Sequence, residues 1–478
     1  MHSKLPPLPL GKLMLCSLGA VGCYHLAMLY QSAAGWFVLA YLFLLWQLRR
    51  ARTARASFYL GWIAGMGIMI PHTWFLLGIF HEPAVLLWML MSVWLGLMVS
   101  LWQACAARWS GRIMLLVAPC IMLGVEYFRS EVWALKFAWL TAGFALPAVE
   151  WGAAFHALGV YGLGAALLML VILATSKWRL MSLAALPLLA WPLGLGKLSG
   201  GSAGDPTLSV AGVQWEDASE KSILTSLSEA KQRFPQTQLF VTSEYSFPGP
   251  PTDDVRAWAK VNGYLMTGGA DMVPGKQFDQ YYNTAFLTGP EGNVIHKQVK
   301  AVPIQFMDDG LPAPKQEVWQ SPWGRVGICI CYDMNYASVN DELVRQGAQV
   351  LIIPAMDREK WGESEHILSA RLGPVRAVEY GLPVFRLASS GISQVIQRNG
   401  QLIAEGYFPG QGAIVAGTMF LPQKSTRPLD RWLVWPAMIV SGGLLLGFIA
   451  LNLMQRIRAL ISWIVWRKER RQRKSSAG

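Results

Sequence analysis

Gly327-Ile-Cys-Ile-Cys-Tyr-Asp333 ends an apolar run with a thiol, Cys331, followed at once by a phenol and an acid. Val326–Cys331 has the β-branched, apolar composition of a buried strand, so the sulfur is expected at a strand's end. Most cysteines in such runs are inert core residues. A reactive one needs a base and a cation from elsewhere in the same folded unit.

The chain around this stretch is divided. Of 478 residues, 53% are hydrophobic, 22 are Trp and only 15% are charged, too apolar for a soluble enzyme of this length and expected of an integral membrane protein. Residues 1–195 and 431–478 hold the apolar spans and residues 205–430 have ordinary globular composition, joined by a Gly/Ser-rich linker over 196–204. Candidate spans are Leu13–Tyr30, Ala34–Leu48, Phe58–Phe80, Ala84–Ala106, Ile113–Phe128, Leu158–Thr175 and Leu180–Leu195, with an eighth at Leu433–Met454. Met1–Lys12 lacks a cleavage pattern and is expected to remain as part of an anchor.

The net charge of +12 does not point to nucleic acid. The basic residues cluster beside spans, at Arg49–Arg55, Arg108–Arg112, Lys177–Arg179 and Arg467–Lys474, and read as topology signals. With these loops inside, the globular unit lies outside. The expected location is a bacterial inner membrane, multi-pass, with a periplasmic catalytic domain and a cytoplasmic tail. Cys329 and Cys331, two apart on one expected strand, are too constrained to pair well.

Within 205–430, expected strands Leu208–Val213, Leu239–Thr242, Tyr264–Thr267, Thr284–Leu287, Val326–Cys331, Val350–Ile353, Val384–Ala388 and Gln394–Gln397 alternate with helices Ser219–Arg233, Asp254–Val261, Ala337–Gln346 and His366–Tyr380, the last broken at Gly373-Pro374. This is an α/β pattern around a buried sheet. Glu244 follows the strand Leu239–Thr242, where a carboxylate can enter a site. Lys300 ends a strand expected over Gly292–Lys300, with Lys297 three residues earlier. An acid to take the thiol proton, an ammonium to stabilise an oxyanion and a thiolate to attack make a coherent acyl-transfer set.

The Glu–Lys–Cys order, Cys331-Tyr-Asp333, Gly347-Ala-Gln-Val-Leu-Ile-Ile-Pro354, Lys360-Trp-Gly362, His366, Arg376-Ala-Val-Glu379 and Ser390-Gly-Ile-Ser393 resemble the nitrilase (carbon–nitrogen hydrolase) superfamily. Joined to a polytopic N-terminal half that carries Glu126-Tyr-Phe-Arg129 and Phe137-Ala-Trp139, the plan resembles apolipoprotein N-acyltransferase. The resemblance implies an α-β-β-α sandwich beside a multi-span helical domain, and catalytic Glu244, Lys300 and Cys331. The superfamily's lysine stands eight residues after a glycine, which from Gly292 selects Lys300; an alignment on Val302-Pro303 favours Lys297 instead. A supporting acid eight beyond the lysine implies Asp308, and Asp333 matches the acid after the nucleophile. Trp361 and His366 are candidate substrate-lining residues, with packed-core roles as the alternative. Implied partners are a phospholipid acyl donor and a lipoprotein or peptide amine acceptor. No cofactor and no metal site are expected. Pro303-Ile-Gln-Phe-Met-Asp308 and a short arm between Lys300 and Cys331 depart from the acyltransferase pattern. They leave open a conjugal-transfer TraB-like amidase or acyltransferase and a non-catalytic membrane scaffold.

Overall fold

The computed structural model describes residues 6–176, 198–202, 204–275 and 280–475. The N-terminal part is helical: α1 (Leu10–Leu29), α2 (Ala34–Gln47), α3 (Ala54–His72), α4 (Leu76–Phe80), α5 (Pro83–Ala106), α6 (Gly111–Tyr127) and α7 (Gly152–Ala174). Among the described residues six helices are long and apolar enough to cross a membrane, five of them in this part and the sixth at Asp430–Arg467. The span expected at Leu180–Leu195 lies outside the described residues.

The span expected over Phe58–Phe80 is instead two helices. Pro71 lies in the last turn of α3, and Thr73 stops it, turning its hydroxyl back to the Met69 carbonyl (2.7 Å) while accepting from the Trp88 indole (2.9 Å). A proline removes an N–H from the ladder, and a hydroxyl that bonds the backbone competes with it. The chain resumes as α4, which reaches the globular unit: Phe80 meets Phe306 edge to face at 6.2 Å.

The globular unit holds two six-stranded sheets. One has the order β12-β1-β2-β3-β4-β5 and the other β11-β10-β9-β8-β7-β6. The first comprises β1 (Thr207–Val213), β2 (Leu239–Thr242), β3 (Tyr264–Met272), β4 (Tyr281–Thr288), β5 (Val294–Val299) and β12 (Ile414–Phe420). The second comprises β6 (Trp319–Ser321), β7 (Gly324–Ile328), β8 (Val350–Ala355), β9 (Val384–Ala388), β10 (Gln394–Ile396) and β11 (Leu402–Glu405). Helices α8 (Glu220–Arg233) and α9 (Asp253–Asn262) cover the first sheet; α10 (Ala337–Arg345) and α11 (Glu363–Tyr380) cover the second.

Alternation along each strand separates the layers. Val350 and Ile352 of β8 pack between the sheets with Val210, Val241 and Phe385, whereas Leu351 and Ile353 face the helical side. That helical-side core is continuous with the membrane helices. The result is an α-β-β-α sandwich whose second helical layer lies on the membrane domain.

Helix α11 runs unbroken through Gly373-Pro374, against the expected interruption. An interior proline costs about 3 kcal/mol. The helix buries Leu368, Leu372, Val375 and Val378, each contributing about 1.5–3 kcal/mol, so packing prevails over propensity.

The two parts are locked by buried charge. The final helix, α12 (Asp430–Ser475), begins with Asp430 and Arg431; Arg431 reaches Asp430 (2.7 Å), Asp341 of α10 (3.1 Å) and Glu379 of α11 (3.3 Å). Glu379 also accepts from Val160 N–H at the kink of α7 (2.7 Å). The kink is made by Gly159 at φ 75° and ψ 169°, a conformation essentially reserved for glycine, with the Asp430 carboxylate where a Cβ would stand. Gly159→Ala is expected to destabilise the protein by about 3 kcal/mol or more, from backbone strain and displacement of a buried ion pair. Thermal unfolding in detergent measures this, and an unchanged midpoint would refute the locking role.

Candidate active site

Parallel strands carry their functional groups beyond their carboxyl ends, and three such ends converge here. Glu244 lies two residues past β2, Cys331 three past β7 and Asp357 two past β8. β7 stops at Ile328, short of the expected Val326–Cys331, because Cys331 takes φ 49° and starts a 3-10 turn, Cys331–Asn335. A non-glycine residue at positive φ is uncommon, and such residues cluster at functional sites. The loop after β2 lies tightly on β3: a side chain at Gly268 would clash with the Ser243 carbonyl and the Glu244 Cα.

Lys300 directly follows β5, fully buried, and its backbone N–H donates to the carbonyl of Asn283 on β4 (2.9 Å). Its Nζ lies 2.8 Å from Glu244 Oε1 and 2.7 Å from Asp309 Oδ2. The Asn283 amide donates to the same two carboxylates, at 2.5 and 2.8 Å. Met356 N–H holds the other Glu244 oxygen at 2.8 Å, and Ile304 N–H holds Asp309 Oδ2 at 2.8 Å. Burial alone would depress Lys300, but Glu244, Cys331 and Asp309 together hold it well above the usual lysine range. Lys300 is a fixed ammonium.

Lys297 is elsewhere, in a half-exposed pair with Asp271 at 2.7 Å. The supporting acid also differs from expectation. Asp308 is exposed, and its backbone carbonyl accepts from Tyr281 Oη (3.2 Å), while the carboxylate on Lys300 is that of the buried Asp309. A spacing rule cannot choose between adjacent acids; the turn into Gly310 decides which one points inward. Asp309→Asn is expected to lower turnover by about tenfold or more, the loss of a buried charge-assisted bond, while Asp308→Asn stays within about twofold. Side-by-side kinetics of the two variants check this; equal losses would refute the assignment.

Burial pushes the Cys331 thiol well above its ordinary range, and Glu244 adds to this while Lys300 pulls it down. The sulfur thus lies within electrostatic reach of both the Glu244 carboxylate and the Lys300 ammonium. Asp333 fixes the geometry. Its carboxylate accepts from Ala301 N–H (3.0 Å), Val302 N–H (2.8 Å) and Ile330 N–H (3.1 Å), tying the lysine loop to the cysteine turn. Burial raises Asp333 to about 6 in spite of these donors and Lys300.

Cys331 lines a cleft of about 970 Å³, counting its open mouth. One wall comes from the membrane helices, Phe75, Leu76, Ile79 and Phe80 around α4 with Leu87 and Met91 of α5. The other comes from the globular unit, including Phe306, Trp361, Glu365 and Arg386. Trp361 thus lines the cleft. His366 does not: it is fully buried against Phe408, and the wall is formed by its neighbour Glu365. Asn283, Asp309, Asp357, Glu365 and Arg386 were not singled out by sequence, since no motif marks them and only the strand order brings them together. Asp357, Glu365 and His366 are close enough to hold a metal, a grouping that linear spacing did not suggest.

Comparison with known proteins agrees with this layout. A carbon–nitrogen hydrolase family model matches residues 217–417, and the model of the apolipoprotein N-acyltransferase N-terminal domain matches residues 18–173. The omega-amidase NIT2-B of Xenopus laevis is 30% identical over 128 residues, covering 25% of this chain and 46% of that protein. The chain thus spans about half the length of such amidases. An apolipoprotein N-acyltransferase of Allorhizobium ampelinum is 25% identical over 435 residues, covering 74% of this chain and 78% of that one. Among solved structures, Saccharomyces cerevisiae Nit3, a branch 10 member of the nitrilase superfamily, aligns with 47% of this chain and 93% of its own at 21% identity and TM-score 0.39. With one family model on each half and a relative that extends across both, the chain resembles apolipoprotein N-acyltransferase along most of its length, its globular unit matching the carbon–nitrogen hydrolases.

Proposed function

We propose that this chain is an acyltransferase of a bacterial inner membrane, with Glu244, Lys300 and Cys331 as its catalytic residues. It moves an acyl chain from a phospholipid to Cys331, then to the α-amine of a lipid-modified N-terminal cysteine on a lipoprotein. The observation that carries this reading is the cleft: an apolar wall, formed around α4 and by α5, leads to the Cys331 thiol, on which the buried Glu244 carboxylate and Lys300 ammonium act electrostatically. A soluble amidase has no use for such a wall. The conjugal-transfer alternative gains nothing from the relatives matched.

In the first half-reaction Glu244 takes the thiol proton, and the thiolate adds to the ester carbonyl. The oxyanion rests on the Lys300 ammonium and a backbone N–H. Collapse breaks the ester C–O bond, and the leaving alkoxide takes the proton from Glu244. The second half repeats the cycle: the amine adds to the thioester, and the C–S bond breaks with the thiolate as leaving group. The amine proton passes through Glu244 to the sulfur. Asp309 and Asn283 hold Glu244 and Lys300 in place, and Asp333 keeps the Cys331 turn in register with them.

Intact-mass measurement of the protein incubated with a defined phospholipid tests this. The expected result is one added acyl group on Cys331, released by hydroxylamine and discharged by a lipopeptide with a free α-amine. Phospholipid turnover with Cys331 unmodified throughout would overturn it, and an adduct discharged only to water would make the protein a hydrolase.

A further inference from the structure

Beside Cys331 the cleft wall, with the His366 ring buried behind it, holds a group of buried acceptors with too few donors. Glu365 accepts from Ser369 Oγ through Oε1 (2.6 Å), while Oε2 is buried with no partner among the described residues. His366 Nε2 lies 3.0 Å from the Arg358 carbonyl, so it must carry the ring proton. That leaves Nδ1 with a bare lone pair, buried and without a hydrogen-bond partner among the described residues. Nδ1 faces Glu365 Oε2 and Asp357 Oδ2, each at 3.9 Å, too far for a hydrogen bond and close enough for their lone pairs to oppose one another. The donor present is Arg386, whose guanidinium meets Asp357 Oδ2. Glu365 is 6% exposed, Asp357 2% and His366 0%, so bulk water does not relieve them.

We propose that this cluster, with Glu365 foremost, is the docking site for the ammonium group of the acyl acceptor. The proposal rests on the acyl-transfer reading above and extends it to the second substrate. An ammonium has three N–H donors and the cluster offers three acceptor atoms. With Glu365 ionised, two carboxylates against one guanidinium leave a deficit of one positive charge, which a monoamine fills and a divalent metal would overfill. Position agrees as well. Asp357, Glu365 and Arg386 share the cleft with Cys331, and Asp357 and Arg386 are both close enough to act electrostatically on the sulfur or be acted on by it.

Docking an ammonium is useful only if the proton can leave, because the amine attacks as the free base. The Glu365 oxygen left without a partner among the described residues is the acceptor placed to take that proton. The ammonium gives one proton to the Glu365 carboxylate, the neutral amine adds to the thioester carbonyl, and its second proton follows the Glu244 route to the departing sulfur. Glu365 returns its proton to solvent when the product amide, which cannot occupy an ammonium site, leaves.

The test uses the full chain in detergent or nanodiscs and needs no turnover. Binding of a lipopeptide with a free α-amine is compared with binding of its N-acetylated form. Wild type is expected to favour the free amine by about tenfold or more, and Glu365→Gln to lose that preference while still binding the acetylated form. Glu365→Asp, which keeps the charge, is expected to restore part of it, guarding against a merely misfolded variant. Equal binding of the two peptides by wild type, or an unchanged preference in Glu365→Gln, would overturn the proposal. So would a stoichiometric divalent metal, found by elemental analysis of the purified protein and lost in Glu365→Gln. Failure of the acyl-transfer reading registers separately, as absence of any acyl group on Cys331.

Discussion

Full-length protein carrying Cys331→Ala is expected to gain no acyl mass from phospholipid and to lose transfer by a factor on the order of 10⁴–10⁶, the scale on which nucleophile removal acts in enzymes that use covalent intermediates. The fold should be unaffected. Alanine removes one atom from a half-buried position on an open cleft, and both residues meet the same strain at φ 49°. An unchanged unfolding midpoint with abolished acylation therefore isolates chemistry from structure. Cys331→Ser makes a sharper version: the hydroxyl is a poorer nucleophile at neutral pH, and any adduct it forms is an oxygen ester that resists hydroxylamine far better than a thioester. Wild-type turnover in Cys331→Ala would refute Cys331 as the nucleophile.

The second large effect is Lys300→Met. Methionine fills a similar volume but leaves Glu244 and Asp309 facing one another without a cation, joined through the Asn283 amide. Breaking a buried pair in this way costs about 3–5 kcal/mol of stability. If the variant folds, loss of the oxyanion donor costs about 2.7–4 kcal/mol of barrier besides, or roughly 10²–10³ in rate. The double loss distinguishes Lys300 from Lys297, whose half-exposed pair with Asp271 predicts less than about 1 kcal/mol and no catalytic effect. The pH sign follows from the raised Lys300. A lysine held above its unfolded value contributes its full stability below the ordinary lysine range and loses it only as pH rises through the folded value. Wild type should thus show no loss from this source at neutral pH. A wild-type unfolding midpoint in Lys300→Met would refute the buried-trio assignment.

These residues show how far linear sequence reaches. Glu244, Lys300 and Cys331 each lie just past a strand, where composition changes abruptly, and strand ends are legible from β-branched runs. Asp309 was not legible, because which of two adjacent acids turns inward depends on the turn into Gly310 and on the Ile304 N–H that catches it. Glu365 and Asp357 were hidden for another reason: eight residues separate them, and they meet only because α11 folds back over the end of β8. The expected break at Pro374 failed because propensity is local whereas the burial that outweighs it comes from distant strands. The long Phe58–Phe80 span failed the other way, through one threonine whose hydroxyl competes for backbone.

The Arg431–Glu379–Asp430 lock has a consequence for substrate choice. It joins the last helix, the kinked seventh and the sandwich through groups that cannot separate without stranding charge in a dry interior. Under the proposed acyl-transfer reading, Cys331 then keeps a set height relative to the bilayer instead of riding on a tether. Ester bonds in a lipid leaflet occupy a narrow stratum, and a sulfur fixed at that level would meet them while missing deeper or more distant carbonyls. On this view the anchor works as a depth gauge, and the membrane's own layering does part of the discrimination before any side chain makes contact.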